Sequence, residues 1–402
     1  MRLAAALALL SIAAPAAAGA PRVPTKLRVS AIDDTSVRVT WHNRSRAARP
    51  QLAWRRVGSP KRRGKRVRRP RGATRFLHRG LQPGARYFYR VRACRRGGCS
   101  RWSRRRRGGT LAPAVGAPTP QPPPGGGPTV GSCPIFPPSN PWNRDVSADP
   151  VDPRSSAYIA SIGANLHLHA DFGSNPAYGL PYIVVPPSQP RLPVAFSQAD
   201  ESDPGPYPIP ANAPVEAGSD RHVLALQEGS CRLYELFSAS FGGGSWSAYS
   251  GAIFDLRTGA PRPDGWTSAD AAGLPILPGL VRYDEVRAGA IRHALRFTVS
   301  ETQRAYIHPA THFASDATDP NLPPMGLRLR LKSSFAIGGY SREAQVVLSA
   351  LKRYGMFMAD NGSSWFISGA SDSRWNDEAL DDLKQIPGSA FEAVGSGPLH
   401  KP

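Results

Sequence analysis

Two clusters between positions 160 and 210 have the residue types and spacing of reactive sites. His167, His169 and Asp171 alternate along the chain. A strand would carry all three on one face. Two imidazoles and a carboxylate can hold Zn²⁺ or another divalent ion and leave a position open for water. A solvated strand edge would show the same alternation. Asp200, Glu201 and Asp203 place three carboxylates in four positions, just before Pro204, Pro206, Tyr207 and Pro208. Crowded carboxylates raise one another's pKa, which suits a general acid, and they also suit Ca²⁺. An acidic turn ahead of prolines is the plainer reading.

Further candidates stand singly. Glu235 lies beside Tyr234 in an apolar segment close to Cys231, and either faces solvent or enters a cleft as an acid. Arg282, Asp284 and Glu285, then His293 and Arg296, then His308 and His312, form the densest polar run. His293 shares a strand face with Leu295 and Phe297, so burial is expected, and a buried histidine is more often structural than catalytic. His308 and His312 carry Pro309 and no intervening glutamate, so the His-Glu-x-x-His zinc signature is absent. Trp246, Trp266, Trp365 and Trp375 sit among Gly, Ser and Asp, as sugar-stacking loops do; Tyr207 has the same character. Indoles folded back onto the core would read alike. No phosphate-cradling Walker loop, Gly-x-Ser-x-Gly elbow or dinucleotide fingerprint occurs, which disfavours nucleotide chemistry and a standard esterase.

The elements that must position these residues are mostly strands. The chain has 42 Pro and 39 Gly among 402 residues, a composition that favours turns over long helices. From Cys133 onward, short strand-like runs fall at 182–185, 222–226, 232–237, 252–255, 293–299 and 327–331. Helices are predicted at 341–354, which opens on Ser341 and stops at Gly355, at 376–386, and at 155–162. The expectation is a β-rich domain over 133–402 with two or three peripheral helices.

Charge divides the chain. Residues 21–110 hold 29 Lys and Arg against two acidic residues, Asp33 and Asp34, whereas residues 111–402 hold 21 against 27. The front segment alternates Arg with Val, Tyr or Trp over 27–31, 36–41, 52–57, 73–77 and 86–93, giving strands with one apolar and one charged face. Val37-Arg38-Val39-Thr40-Trp41 resembles the Trp-bearing second strand of a fibronectin type III domain. Leu81, the Pro83-Gly84 turn and Tyr87 resemble that family's leucine and tyrosine corner, and Ser100-Arg101-Trp102-Ser103 the start of its last strand. The resemblance implies a β-sandwich over 21–110, with the Tyr87 hydroxyl tying the corner to the preceding connection. No Arg-Gly-Asp is present to support adhesion through that motif. The runs 61–71 and 104–107 are expected as a basic loop and a basic end. They either only aid solubility or hold an anionic partner.

Residues 1–20 read as a secretory signal peptide, with Arg2, an apolar stretch and small residues for cleavage. Residues 111–132 are a Pro/Gly-rich linker. No later apolar run is long enough to span a bilayer. In an oxidising compartment the simplest of three connectivities pairs Cys94 with Cys99 and Cys133 with Cys231. Export makes nucleic acid an unlikely partner for the arginines and anionic envelope polymers the better one.

Together these features describe a secreted, mainly β, two-module protein. Its basic module would tether it to an anionic surface, and its larger module would bind or cleave extracellular polysaccharide. Cleavage would draw an acid and a base or nucleophile from Asp171, Glu201, Asp203, Glu235 and Glu285, with His293 a further candidate. A non-catalytic surface-binding protein and a metal-dependent hydrolase using His167, His169 and Asp171 are the alternatives. No cofactor is certain beyond a divalent ion, Ca²⁺ or Zn²⁺.

Overall fold

The computed structural model describes residues 21–32, 36–45, 47–58, 65–79, 81, 84–96, 98–110, 127–395 and 397–401. Residues 1–20, expected as a signal peptide, most of the expected linker 111–132 and residues 61–64 of the basic run 61–71 lie outside them. The chain divides into two compact units, Met1–Val115 and Gly116–Pro402.

The first unit is a sandwich of two antiparallel sheets. Thr25–Ala31, Val37–His42 and Arg75–His78 make one; Lys65–Arg68, Arg49–Arg56, Arg86–Arg95 and Gly98–Cys99 make the other, with Arg106–Gly109 paired to Arg86–Arg95. The alternation works as expected. Val37, Val39, Trp41, Leu52, Tyr87, Tyr89 and Val91 are buried between the sheets. Part of the expected basic loop is a strand: Lys65–Arg68 pairs with Gln51–Trp54, because Lys-Arg-Val-Arg alternates well enough to extend a sheet. The segment expected to receive the Tyr87 hydroxyl includes residues 82 and 83, outside those described. The neighbouring Tyr89 hydroxyl is 2.8 Å from His78 Nδ1.

The second unit is built on a six-stranded mixed sheet. Its order is His169–Asp171, Phe366–Ser368, Leu295–Val299, Met356–Asn361, Arg328–Leu331 and Phe391–Ala393. A four-stranded sheet, Tyr182–Val185, Val223–Gln227, Arg232–Phe237 and Ser250–Asp255, packs beside it, and a three-stranded sheet runs through Val194–Phe196, Ser245–Ala248 and Ser240–Gly242. One apolar core joins the two larger sheets; a second gathers around Tyr207, Tyr234 and Trp246.

Four α-helices occur among the described residues. Arg342–Arg353 is the longest. Ser341 accepts the Ala344 N–H, Glu343 opens the helix, and Lys352 and Arg353 close it against the macrodipole. Gly355 follows at φ 68°, where a Cβ would meet Leu329 O at 2.3 Å, so only glycine turns the chain here. The helix expected over 376–386 is instead a single turn, Asp377–Leu380, and a 3₁₀ turn, Leu383–Gln385. Asp382 interrupts it: buried, its carboxylate accepts the Ser341 N–H (2.7 Å) and the Gln385 amide (3.0 Å). Tyr283–Ala288 is a short helix not anticipated from the sequence.

Both disulfides form, Cys94–Cys99 and Cys133–Cys231. The second joins the strand Cys133–Pro134 to the turn ahead of Arg232–Phe237. No helix among the described residues is long and apolar enough to cross a membrane.

Candidate functional site

In the second unit, four adjacent strands of the six-stranded sheet bring charged side chains to one place. Arg296 leaves Leu295–Val299. Its Nε and Nη2 donate to Asp270 Oδ2 (3.0 and 2.6 Å), and its Nη1 donates to Ser368 Oγ (2.8 Å). Asp360 Oδ2, on Met356–Asn361, is 4.0 Å from the same Nη2. Asp171 stands opposite Ser368 in register.

One guanidinium therefore faces two carboxylates. Asp270 is fully enclosed, takes the direct hydrogen bonds and also accepts the Ala272 N–H. Burial raises its carboxyl above the usual range, although Arg296 pulls it the other way. Asp360 is farther from the guanidinium, and its side chain is 27% exposed. Burial, reinforced by the Asp270 charge, raises its carboxyl to about 7. Burial is the larger cause, and because the guanidinium hydrogen-bonds Asp270 rather than Asp360, the Asp270 charge adds to it.

A cleft of about 290 Å³ opens over this pair. Its walls include Glu201, Asp360, Asp270, His312, Phe237 and Tyr249. Glu201 is aimed by the Thr267 N–H (3.0 Å) and the Gln198 amide (3.2 Å). Tyr249 is 48% exposed and meets Phe237 edge-on at 5.9 Å, so an aromatic face borders the acids. His312 Nδ1 donates to Ala271 O. Behind the cleft, His222 is buried with Nδ1 at 2.6 Å from Glu216 Oε2 and Nε2 at 3.0 Å from Ala269 O. Both nitrogens face acceptors, so the imidazolium is favoured: burial opposes it, but Glu216 prevails and raises its pKa.

The candidates read from sequence fall in different places. Glu201 lines the cleft, as does the missed pair Asp270 and Asp360. Asp171 is exposed; burial of its surroundings raises its carboxyl, while His169 and Arg296 pull it down and Glu216 pushes it up. Asp203 is a brace, accepting from Ile253 N–H (2.8 Å) and from Arg262. Glu235 is wholly buried and accepts the Ile276 and Leu277 N–H groups (2.9 Å each). Glu285 bridges Arg282 (2.7 Å) and the buried His293 (3.2 Å); burial pushes its carboxyl up, but Arg282 and His293 hold it below the usual range.

Four of the expected sugar-stacking rings are core, among them Trp375, buried with its indole N–H donating to Ala370 O (2.9 Å). Trp246 and Trp365 are buried, their indole N–H groups donating to Ile209 O and Gly163 O. Tyr207 is buried and donates to Asp203 O (2.7 Å). Trp266 is half-buried under the Arg262 guanidinium, 5.4 Å away. The indole polar handle explains these placements: a carbonyl partner lets a large ring fill the core.

His167, His169 and Asp171 do not assemble as a ligand set. His167 is exposed beside Pro387, and His169 stacks on Phe366 at 4.1 Å. The described ligating group whose donor atoms all lie within 4.8 Å of one another is Asp264, His308 and His400.

The first unit carries a different surface. Phe88, Arg90 and Arg92 alternate outward on Arg86–Arg95, opposite the inward Tyr87, Tyr89 and Val91. Arg90 and Arg92 each lie 4.6 Å from the Trp102 ring, with Arg66 at 6.0 Å. Arg55 and Arg105 flank Phe88 at 5.6 and 5.9 Å. The result is a ladder of guanidinium and aromatic layers. Burial and then the charges of Arg66, Arg105 and Arg92 lower the Arg90 pKa. The domain's two acidic residues, Asp33 and Asp34, are outside the described residues.

The comparisons bear on this first unit. The fibronectin type III domain model matches residues 22–108. Among solved structures, the chain is similar to the FN1-FN3 domains of chicken CNTN1 at 22% identity, covering 23% of this chain and 32% of that one, with a TM-score of 0.22. It is similar to the fn3 domain of human collagen alpha-1(XX) at 20% identity, covering 26% and 99%, with a TM-score of 0.23. The FN5 domain of Drosophila Lar matches at 20% identity, covering 23% and 99%, with a TM-score of 0.21. The chain thus spans about a third of the CNTN1 fragment. No curated protein matches the chain. The family match and the two-sheet sandwich agree: residues 22–108 are a fibronectin type III domain.

Proposed function

We infer that this is an extracellular or cell-surface modular protein, a reading its fibronectin type III domain and two disulfides support. We propose that this protein is exported, that its arginine ladder holds it to an anionic extracellular polymer, and that its second domain cleaves a polysaccharide. The observation that carries the cleavage reading is one cleft lined by two carboxyl groups, Asp360, which burial and Asp270 raise to about 7, and Glu201, together with an exposed aromatic ring, Tyr249.

In this reading Asp360 gives its proton to the glycosidic oxygen as the C–O bond breaks. Burial and the Asp270 charge keep that proton in place beforehand, since an ionised Asp360 would add a second negative charge beside Asp270. Glu201 supplies the base or nucleophile that glycoside cleavage requires. Tyr249 offers its face to a sugar ring. Asp203, Glu235 and Glu285 serve as internal braces.

Reducing-end release from a panel of envelope and plant polysaccharides tests this. Wild-type protein is expected to release product. Asp360→Asn and Glu201→Gln are expected to lose at least about a hundredfold in rate, the scale of one general acid or base. Binding to a polysaccharide without product would favour the non-catalytic reading, and full activity in both variants would remove the two residues from the mechanism.

A further inference from the structure

His400 is fastened to Tyr306. Their backbones exchange both hydrogen bonds, 2.9 and 3.0 Å, and their rings stack at 5.1 Å. The His308 ring lies 4.3 Å beyond, at 30°. His308 Nε2 is 2.7 Å from Asp264 Oδ1, and the Tyr306 hydroxyl also bonds the Asp264 carboxylate. Three chain segments, around 264, 306–308 and 397–401, therefore meet at two imidazoles and one carboxylate.

The arrangement leaves one group unexplained. His400 Nε2 is shut away from water and has no hydrogen-bond partner. A buried ring nitrogen without a partner is costly, and such groups call for a ligand or an ordered solvent partner. All three potential ligand atoms already lie within 4.8 Å of one another. Tetrahedral zinc, at bond lengths near 2.0–2.1 Å, needs its ligand atoms about 3.3 Å apart. The His308 and Asp264 side chains are 51% and 55% exposed, so they can open from 2.7 Å to that spacing without disturbing the core.

We propose that Asp264, His308 and His400 bind a divalent ion of the zinc class, which pins segment 397–401 to the loops bearing the other two ligands. The donor set fits this class. Imidazole with carboxylate suits Zn²⁺ and Co²⁺, whereas Ca²⁺ takes six to eight oxygens that this corner does not supply. Three protein ligands leave a fourth position for water on the exposed side. The site is separate from the cleft and does not rest on the cleavage reading.

The test uses the purified full chain after chelator treatment. Titration with Co²⁺ alone should give the visible absorption of a tetrahedral ion, saturating at one equivalent, and Zn²⁺ should displace it. Zn²⁺ in excess should raise the melting temperature. His308→Ala, His400→Ala and Asp264→Asn should each weaken Zn²⁺ binding by at least about a hundredfold, the upper end of what an outer-shell change costs. His167→Ala, at an exposed histidine elsewhere, should bind as wild type. Wild-type protein that takes up neither ion overturns the proposal without recourse to any variant. Uptake unchanged in both His308→Ala and His400→Ala overturns it equally.

Discussion

Replacing Glu235 with glutamine should make the second domain more stable at neutral pH, and the gain should vanish in acid. Glu235 is wholly enclosed, with no cation bonded to it. Burial raises its carboxyl from 4.5 to about 7, despite the Ile276 and Leu277 N–H groups that favour the anion. A raised carboxyl contributes stability that is fully present below its unfolded value of 4.5 and is lost as pH rises through the folded value of about 7. At about 1.4 kcal/mol per pH unit, that interval makes the ionised form about 3 kcal/mol costlier to the fold than the protonated form. Glutamine keeps an oxygen for both N–H donors and does not titrate. Urea unfolding followed by tryptophan fluorescence at pH 5 and pH 8 measures the difference. Wild type and variant should be close at pH 5. At pH 8 the variant midpoint should lie higher by about 1 M, for a slope of about 3 kcal/mol/M. Asp360 titrates in the same window but is present in both proteins, so the comparison isolates Glu235. A variant destabilised equally at both pH values would show instead that Glu235 is needed as an anion.

Other outcomes follow from the same geometry. Arg296→Met should destabilise the second domain by about 3–5 kcal/mol, since it leaves Asp270 buried without its counter-charge; a change under about 1 kcal/mol by denaturant titration would mean that the pair is not desolvated. Cys133→Ala with Cys231→Ala opens a loop spanning 98 residues, and should lower stability by about 2–5 kcal/mol in the same titration. Retention on an immobilised polyanion such as polyphosphate should weaken about a hundredfold between 50 and 200 mM salt, and Arg90→Glu with Arg92→Glu should lower the eluting salt; salt-insensitive retention would contradict the ladder's role. Polysaccharide cleavage, which requires protonated Asp360, should fall about tenfold per pH unit above about 7; a flat rate to pH 9 would exclude Asp360 as the acid.

Much of the fibronectin type III domain was legible because period-two alternation and the Trp41 and Tyr87 landmarks are local properties. Both disulfide partners followed from the small cysteine count. The cleft was not legible in the same way. Asp270, Arg296 and Asp360 come from distant segments, and Asp360 simply follows an apolar stretch near the end of its strand, so no spacing links them. Glu201 was visible because it sits in a dense acidic turn, but the same turn hid that Asp203 is a brace for Arg262 and Ile253. Trp246 and Trp365 misled for a physical reason: small polar neighbours allow an indole either to face solvent or to fold inward, and a carbonyl within reach decided for the interior. The helix expected over 376–386 failed because Asp382 serves the cap of another helix, a long-range contact that local propensity does not register.

Cleavage by Asp360 requires a carboxyl facing the cleft whose pKa lies near 7. Carbon-13 NMR titration of the aspartate carboxyl signals, with Asp360→Asn used for assignment, measures it directly. A midpoint near 7 for Asp360 is the predicted result. A midpoint near 4, the ordinary value for an exposed aspartate, would contradict the account.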